Sequence, residues 1–243
     1  VQYTRQHTNK VLMERVASLN PLWNKLRLSA CSHLVKVRAL LCAAWPRGLH
    51  GVEATTLSLT AFQQTRSGAM RGLRMDSSGA NAFVQLGLVE PTLVDPHCWS
   101  ILQTFRLHRS CGQQTMIETT LAELAAGHMT LPTNSVSSTL LTRIQMVGWH
   151  VNAQGQLCDM FGEFSLFQAS MTELQYRLEF QWLQVVAFEV SHRPCFQGLQ
   201  GCDPRATRKW VNSLEPSDRA LFHKILNGTH FTQDGKKHCQ EVE

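Results

Sequence analysis

The segment 29–53 constrains the fold of this chain more than any other. It reads SACSHLVKVRALLCAAWPRGLHGVE and has apolar residues at the three-and-four spacing of a buried helical face. These residues are Leu34, Val37, Leu41 and Ala44. Lys36 and Arg38 fall off this face, so we expect both side chains to point toward solvent. The segment therefore predicts an amphipathic helix with a basic outer surface.

Residues at both ends of this segment predict where the helix begins and ends. Ser32 is suited to cap its start, because a serine hydroxyl accepts a hydrogen bond from a free backbone N–H of the first turn. Trp45 and Pro46 predict its end, because proline lacks an N–H and disfavours helical geometry in the residue before it. Gly48 and Gly51 can supply positive φ angles in a following turn.

Positive charge is concentrated in the first part of the chain. Residues 1–75 contain eleven Lys and Arg residues against two acidic residues, a balance of +9, whereas the remainder contains twelve against sixteen. This asymmetry favours a polyanionic partner, since each phosphate contact releases counterions and adds affinity without regard to sequence. A solvated basic face is the alternative. The cations that we expect to bind nucleic acid are Lys25, Arg27, Lys36, Arg38, Arg47, Arg66, Arg71 and Arg74.

This basic part of the chain resembles the thumb that follows the palm in reverse transcriptases of non-LTR (LINE-type) retrotransposons. In that family an Arg-Val helix and a Leu-rich basic helix precede a turn of the pattern Pro-x-x-Leu-Tyr-Gly-x-Glu. The matching residues here are Arg15, Val16, Leu34, Lys36, Val37, Pro46, Leu49, Gly51 and Glu53. His50 stands where the family commonly has tyrosine.

The resemblance implies the C-terminal, non-catalytic fragment of an RNA-directed DNA polymerase, whose thumb grips an RNA or DNA template-primer. Reverse transcriptases hold catalytic Mg²⁺ with an adjacent Asp pair behind an aromatic residue. No two acidic residues are adjacent in this sequence, and neither Tyr3 nor Tyr176 precedes such a pair. The sequence also opens with Val1. We therefore expect the palm and its Mg²⁺ to lie upstream, and the fragment alone to lack polymerase activity.

The sequence predicts no metal site, bound cofactor or small-molecule substrate. Neither His192 with Cys195 and Cys202, nor His238 with Cys239, offers the two closely spaced ligand pairs of structural zinc. The chain has no Gly-x-Ser-x-Gly nucleophile elbow and no Gly-rich phosphate loop. We expect no catalytic residue in this chain.

Two features predict the compartment of the protein. No apolar run approaches the ~20 residues of a membrane helix, so we expect no membrane partner. The eight cysteines lack close paired spacing, which favours a reducing compartment. We expect an intracellular location, nuclear or cytoplasmic.

Helical periodicity dominates the chain and predicts a mainly α fold. We expect a multi-helix thumb-like bundle in residues 1–78, a helical connector in 79–131, a second helical region with one β-hairpin in 132–228, and a loose tail in 229–243, with the main break near 126–136. The hairpin prediction rests on aromatic and β-branched residues around an Asn-Ala-Gln-Gly turn at 152–155. Helix starts are predicted by Asp95 with Pro96, Thr115 with Glu118, Ser135, Ser170 with Glu173, and Asp203 with Pro204.

Two other functions fit the same residues. A free-standing helical protein with the same basic patch would bind nucleic acid without any polymerase. A helical scaffold would instead use the patch to bind an acidic protein. A Tyr-x-Asp-Asp palm encoded upstream in the same frame would distinguish the retrotransposon interpretation from both.

Overall fold

The predicted mainly α fold with a β-hairpin is confirmed. The computed structural model describes residues 5–55, 57–76, 82–86, 92–132, 135–191 and 198–226. These residues form helices and one small three-stranded antiparallel sheet. The predicted loose tail, 229–243, lies outside the described residues.

The first of two apolar cores is built by helices from the N-terminal part of the chain. These helices are α1 (Arg5–Ala17), α2 (Asn20–Leu28), α3 (His33–Ala39), α4 (Trp45–Gly48) and α5 (Leu59–Leu73). A π turn, Leu40–Ala44, joins α3 to α4, and a 3-10 turn, Val52–Ala54, follows α4. Leu19, Leu40 and Trp45 are fully buried at the centre of this core.

The predicted helix end at Pro46 is wrong. Helix α3 continues through the π turn into α4, whose first turn contains Pro46. In the π turn the N–H of Trp45 donates to the carbonyl of Leu40, five residues earlier. This wider turn lets the chain enter α4, and proline is tolerated in a first turn because the N–H that it lacks needs no partner there. The helix ends instead at Gly48.

The predicted apolar face of this segment is only partly correct. Val37 and Ala44 are buried, but Leu34 is 59 % exposed and Lys36 is buried. The first turn of α3 lies outside the core, and the buried face runs from Lys36 through Leu40 to Ala44. These residues are four apart, so they lie one above another on the helix.

Helices α2 and α5 run parallel in close contact. Trp23 of α2 lies against Gly68 of α5, where an added Cβ would stand 2.3 Å from the Trp23 Nε1 atom. Further along, Gly72 lies beside Leu26, with an added Cβ 3.5 Å from Leu26 Cβ. Small residues one turn apart allow two helices to approach closely. Trp23 also packs edge-on against Trp45, with ring centroids 5.7 Å apart.

The second core is built by α7 (Pro96–Ser110), α8 (Gln114–Ala125), α9 (Val136–Met146) and α10 (Met171–Glu189), together with the sheet. The predicted caps of α7, α9 and α10 are confirmed, since the Asp95, Ser135 and Ser170 side chains accept from backbone N–H groups of the first turn. The predicted Thr115–Glu118 capping box is wrong. Helix α8 begins one residue before Thr115, and Gln113 occupies the N-cap position.

The sheet consists of β1 (His150–Val151), β2 (Leu157–Asp159) and β3 (Gly162–Phe164), in that order. Val151 pairs with Leu157, and Leu157 pairs with Phe164. The predicted turn at 152–155 is confirmed, and the Asn152 side chain accepts from the N–H groups of Gln154 and Gln156. The third strand was not predicted.

Two helices follow α10 in the described structure, and the first of them packs against α10. Helix α11 (Pro204–Ser213) begins with the predicted Asp203 cap, which accepts from the N–H groups of Arg205 and Ala206. Glu179 of α10 is buried and accepts from Arg205 Nε at 2.6 Å and Arg208 Nη2 at 2.9 Å. Helix α12 (Pro216–Leu226) follows. Short elements at Ala82–Val84 (α6), Thr92–Val94 and Leu199–Gly201 complete the described structure.

The two cores do not divide at the predicted break near 126–136. Helices α8 and α9 lie on either side of that loop and contribute Leu121 and Leu140 to the same core. The segment before α7 contributes to both cores, since Val84 belongs to the second core and Leu86 and Val94 belong to the first. None of the helices in the described ranges combines the length and apolar character needed to cross a bilayer.

Candidate nucleic-acid interface

Six of the eight cations predicted to bind nucleic acid are exposed, and we call them the basic face. They are Lys25, Arg27, Arg38, Arg47, Arg71 and Arg74. Four of them lie in the last turn of a helix, namely Lys25, Arg27, Arg47 and Arg71, and Arg74 directly follows α5. These five cations also interact favourably with the carbonyl end of their helix, by about 0.3–1 kcal/mol each. Arg38 lies in α3, just before the π turn.

The parallel arrangement of α2 and α5 brings four of these cations to one end of the helix pair. Arg74 Nε donates to the backbone carbonyl of Arg27 at 2.6 Å, which fixes the two helix ends together. Arg74 has a φ of 60° and caps α5 in the left-handed conformation. Lys25 and Arg71 lie in the last turns of the same two helices.

The other two members of the basic face lie on the segment with the π turn. Arg38 is in α3 and Arg47 in α4, and both side chains are exposed. Arg15 of α1, which was not a predicted site residue, donates from Nη1 to the carbonyl of His50 at 2.6 Å. This bond holds the loop after α4 against α1.

The predicted exposure of Lys36 and Arg66 is wrong. Lys36 is 4 % exposed and Arg66 is 2 % exposed. Arg66 Nε donates to Asp95 Oδ2 at 2.7 Å, and its Nη2 donates to Asp95 Oδ1 at 3.1 Å. A buried guanidinium needs such a partner, because an unpaired charge inside a protein is strongly destabilising. Neither side chain can belong to an exposed phosphate-binding surface in this conformation.

A buried polar cluster joins the two cores, and we call it the seam. It consists of Arg66, Asp95, His97 and Arg143. Arg143 of α9 donates from Nη1 to Thr104 Oγ1 and to the Ser100 carbonyl, and from Nη2 to the Val52 and Thr55 carbonyls. Burial lowers the pKa of Arg143 to about 10, while the nearby Glu53 carboxylate opposes that shift.

His97 is the one imidazole in the seam. Its Nδ1 lies 3.2 Å from Arg66 Nη2, and its ring packs against Phe62 with centroids 3.6 Å apart. Burial lowers the pKa of His97 to about 3, against the opposite effect of Asp95. The imidazole is therefore neutral at physiological pH, with Nδ1 as the acceptor from Arg66.

A cleft of about 530 Å³ opens between α7 and the chain from Pro46 to Glu53. Trp99, Gln103 and Arg106 of α7 line one wall, and Pro46, His50 and Glu53 line the other. This cleft was not predicted from the sequence. The spacing of Trp99, Gln103 and Arg106 by four and three residues was a usable signal, since it places them on one face of α7.

The described ranges hold no group of three His, Cys, Asp or Glu residues that could bind a metal ion. The His192–Cys195 and His238–Cys239 sequences lie outside them. Six cysteines in the described ranges are free.

Comparisons with protein-family models, with curated proteins and with solved structures each found no match. The resemblance to the thumb of retrotransposon reverse transcriptases thus stays a prediction that rests on the residues quoted above.

Proposed function

We propose that this chain binds nucleic-acid duplex through the basic face, as the C-terminal, non-catalytic part of a retrotransposon RNA-directed DNA polymerase. The observation that carries the proposal is the common end of α2 and α5, where Lys25, Arg27, Arg71 and Arg74 lie on a rigid pair of helices. A rigid support holds several cations at fixed separations, so that they can contact successive phosphates of a template-primer.

Phosphate contacts of this kind carry no sequence information. Lys and Arg side chains that meet backbone oxygens fix the position of the duplex and add affinity to every sequence alike. Interaction with helix ends accounts for single cations, but it does not account for six exposed cations in a region whose acidic residues are so few. The excess favours a polyanionic partner.

Filter binding of the full chain to an RNA–DNA duplex at several salt concentrations tests the proposal. With about four phosphate contacts, log affinity should fall with log salt with a slope of roughly −3 to −4. The Lys25→Ala, Arg71→Ala double variant should reduce that slope by about 2 for all duplex sequences. Lys209→Ala is the control, because Lys209 is exposed on α11 in the other half of the described chain. A flat salt response would rule out the proposal.

An acidic protein partner is the second candidate. Leu28 is 80 % exposed and Leu34 is 59 % exposed, close in sequence to Arg27 and Arg38. Exposed apolar side chains rimmed by charge are typical of protein interfaces. This candidate predicts little salt-dependent affinity for duplex, so the same filter-binding experiment distinguishes the two.

The free cysteines support an intracellular location, nuclear or cytoplasmic. Cys31, Cys42 and Cys111 are exposed thiols. Exposed thiols persist in reducing compartments and oxidise outside them.

A further inference from the structure

The cleft between α7 and the chain from Pro46 to Glu53 joins an aromatic wall to several kinds of polar group. Trp99 lies half-buried on the α7 wall, with the Gln103 amide and the Arg106 guanidinium along the same helix face. His50 and Glu53 form the opposite wall, next to Pro46. The volume of about 530 Å³ falls within the roughly 300–1,000 Å³ of small-molecule sites.

Three of the polar side chains that line this cleft are available to a ligand. Within the described ranges, the side chains of Glu53, Gln103 and Arg106 have no hydrogen-bond or ion-pair partner. Glu53 is half-buried, and a carboxylate in that setting gains from a donor that approaches through the cleft. A glutamate carboxylate offers acceptors only, so Glu53 selects a ligand that presents donors.

These groups match the parts of one nucleotide. An aromatic plane stacks on a base, a carboxylate accepts from two adjacent donors on the base edge, and an exposed guanidinium at the mouth pairs with phosphate. Guanine is the base with two neighbouring donors, N1–H and the N2 amino group, on its pairing edge. Adenine would place the N1 lone pair against the carboxylate, and that contact is repulsive.

We propose that this cleft binds a single unpaired guanine nucleotide, with the base on Trp99, its donor edge at Glu53 and its phosphate at Arg106. The base must be unpaired, because the N1–H and N2 donors are occupied in a duplex. The source of that nucleotide rests on the proposed function: it is an unpaired residue of the template or primer held by the basic face.

Calorimetric titration of the full chain with GMP and with AMP tests the site without any duplex. GMP should bind about tenfold more tightly than AMP, since two hydrogen bonds to a carboxylate distinguish the bases. Glu53→Gln should remove this preference, because an amide presents one acceptor and one donor group. The control Glu123→Gln, on α8, should retain the preference. Equal affinity for GMP and AMP in the wild-type protein would overturn the proposal.

Two further variants keep the test decisive if Glu53→Gln destabilises the fold near Arg143. Arg106 is exposed on α7, so Arg106→Gln should fold normally and weaken GMP binding severalfold while leaving guanosine binding unchanged. Gln103→Ala should leave the ratio of GMP affinity to guanosine affinity unchanged. Equal weakening of GMP and guanosine by Arg106→Gln would contradict the assigned phosphate position.

Duplex binding measured on the same preparations separates this proposal from the proposed function. Selective GMP binding without salt-dependent duplex binding would leave the cleft as a nucleotide site and remove the polymerase-fragment proposal. Duplex binding with equal affinity for the two nucleotides would remove the guanine site alone.

Discussion

At the scale of single residues, burial separates cations that the sequence pattern had grouped together. Arg66 lies on the same face of α5 as Phe62, Met70 and Leu73, so its spacing already indicated a buried position. Its charge suggested an exposed side chain, but two hydrogen bonds to the Asp95 carboxylate stabilise the buried guanidinium. That partner lies 29 residues away in sequence, and no local pattern identifies it.

At this scale we predict that His97 makes the stability of the protein depend on pH. Its pKa is about 3 in the folded protein because of burial, against 6.5 when exposed. Between these values the unfolded chain binds a proton that the folded protein does not, so the free energy of unfolding falls as pH is lowered. His97 should contribute a loss of about 1 kcal/mol between pH 7 and pH 5.5.

Urea denaturation at the two pH values measures this contribution. In His97→Gln, which keeps an acceptor for Arg66, the loss between pH 7 and pH 5.5 should be smaller by about 1 kcal/mol. His128→Gln should show the wild-type loss, because the His128 side chain is 72 % exposed. An unchanged loss in His97→Gln would show that the imidazole is not buried in its neutral form.

At the scale of elements, the predicted features that proved correct depend on local geometry. Asp95, Ser135, Ser170 and Asp203 cap helices because a side-chain oxygen needs only the next turn of its own chain. The π turn before Pro46 was not predictable in the same way, because it depends on how Trp45 and Leu40 pack in the first core. The cleft was missed for a similar reason, since its two walls come from different helices.

At the same scale we predict opposite effects for two glycines of α5. Gly68→Ala should lower the free energy of unfolding by about 1–3 kcal/mol, because the new Cβ would stand 2.3 Å from Trp23 Nε1 and force α2 away from α5. Gly72→Ala should be neutral or stabilise by up to about 1 kcal/mol, because its Cβ makes ordinary contacts at 3.4 Å or more and alanine favours the helix.

Chemical denaturation of both variants measures the difference. The substitution is the same in each, in the same helix one turn apart, so helix propensity cancels. Equal stabilities would contradict the close approach of α2 and α5. Gly68→Ala does not change the charge of the protein. If it also binds duplex more weakly, the close packing of α2 against α5 is needed to position the basic face.

At the scale of the whole molecule, the seam provides polar contacts between the two cores. Arg143 of the second core donates to the Val52 and Thr55 carbonyls beside the first core and to Ser100 and Thr104 of α7. Several buried acceptors therefore depend on one side chain. The basic face lies on the first core, and the α7 wall of the cleft begins at the seam. The seam therefore sets the position of the α7 wall relative to the basic face.

We predict that Arg143→Met destabilises the protein by about 3 kcal/mol or more, because several buried acceptors lose their donor. Amide hydrogen exchange should accelerate in the segment around Val52 and in α9 by more than the loss of global stability explains. Arg109→Met is the matched control, because Arg109 donates to the Ala169 carbonyl within the second core only. Arg109→Met should lower the free energy of unfolding by about 1 kcal/mol. Equal effects of the two variants would show that the seam does not connect the cores.

The long sequence separation between Arg143 and its acceptors also sets an order of events during synthesis. Val52 precedes Arg143 by 91 residues. At translation rates of about 5–20 residues per second, the ribosome adds the arginine roughly 5 to 18 seconds after the valine. Helices fold far faster than this, so the N-terminal helices stand assembled for seconds with the Val52 and Thr55 carbonyls open to water. A nascent chain halted before α9 should therefore expose this edge to proteases that cannot cut it in the finished protein.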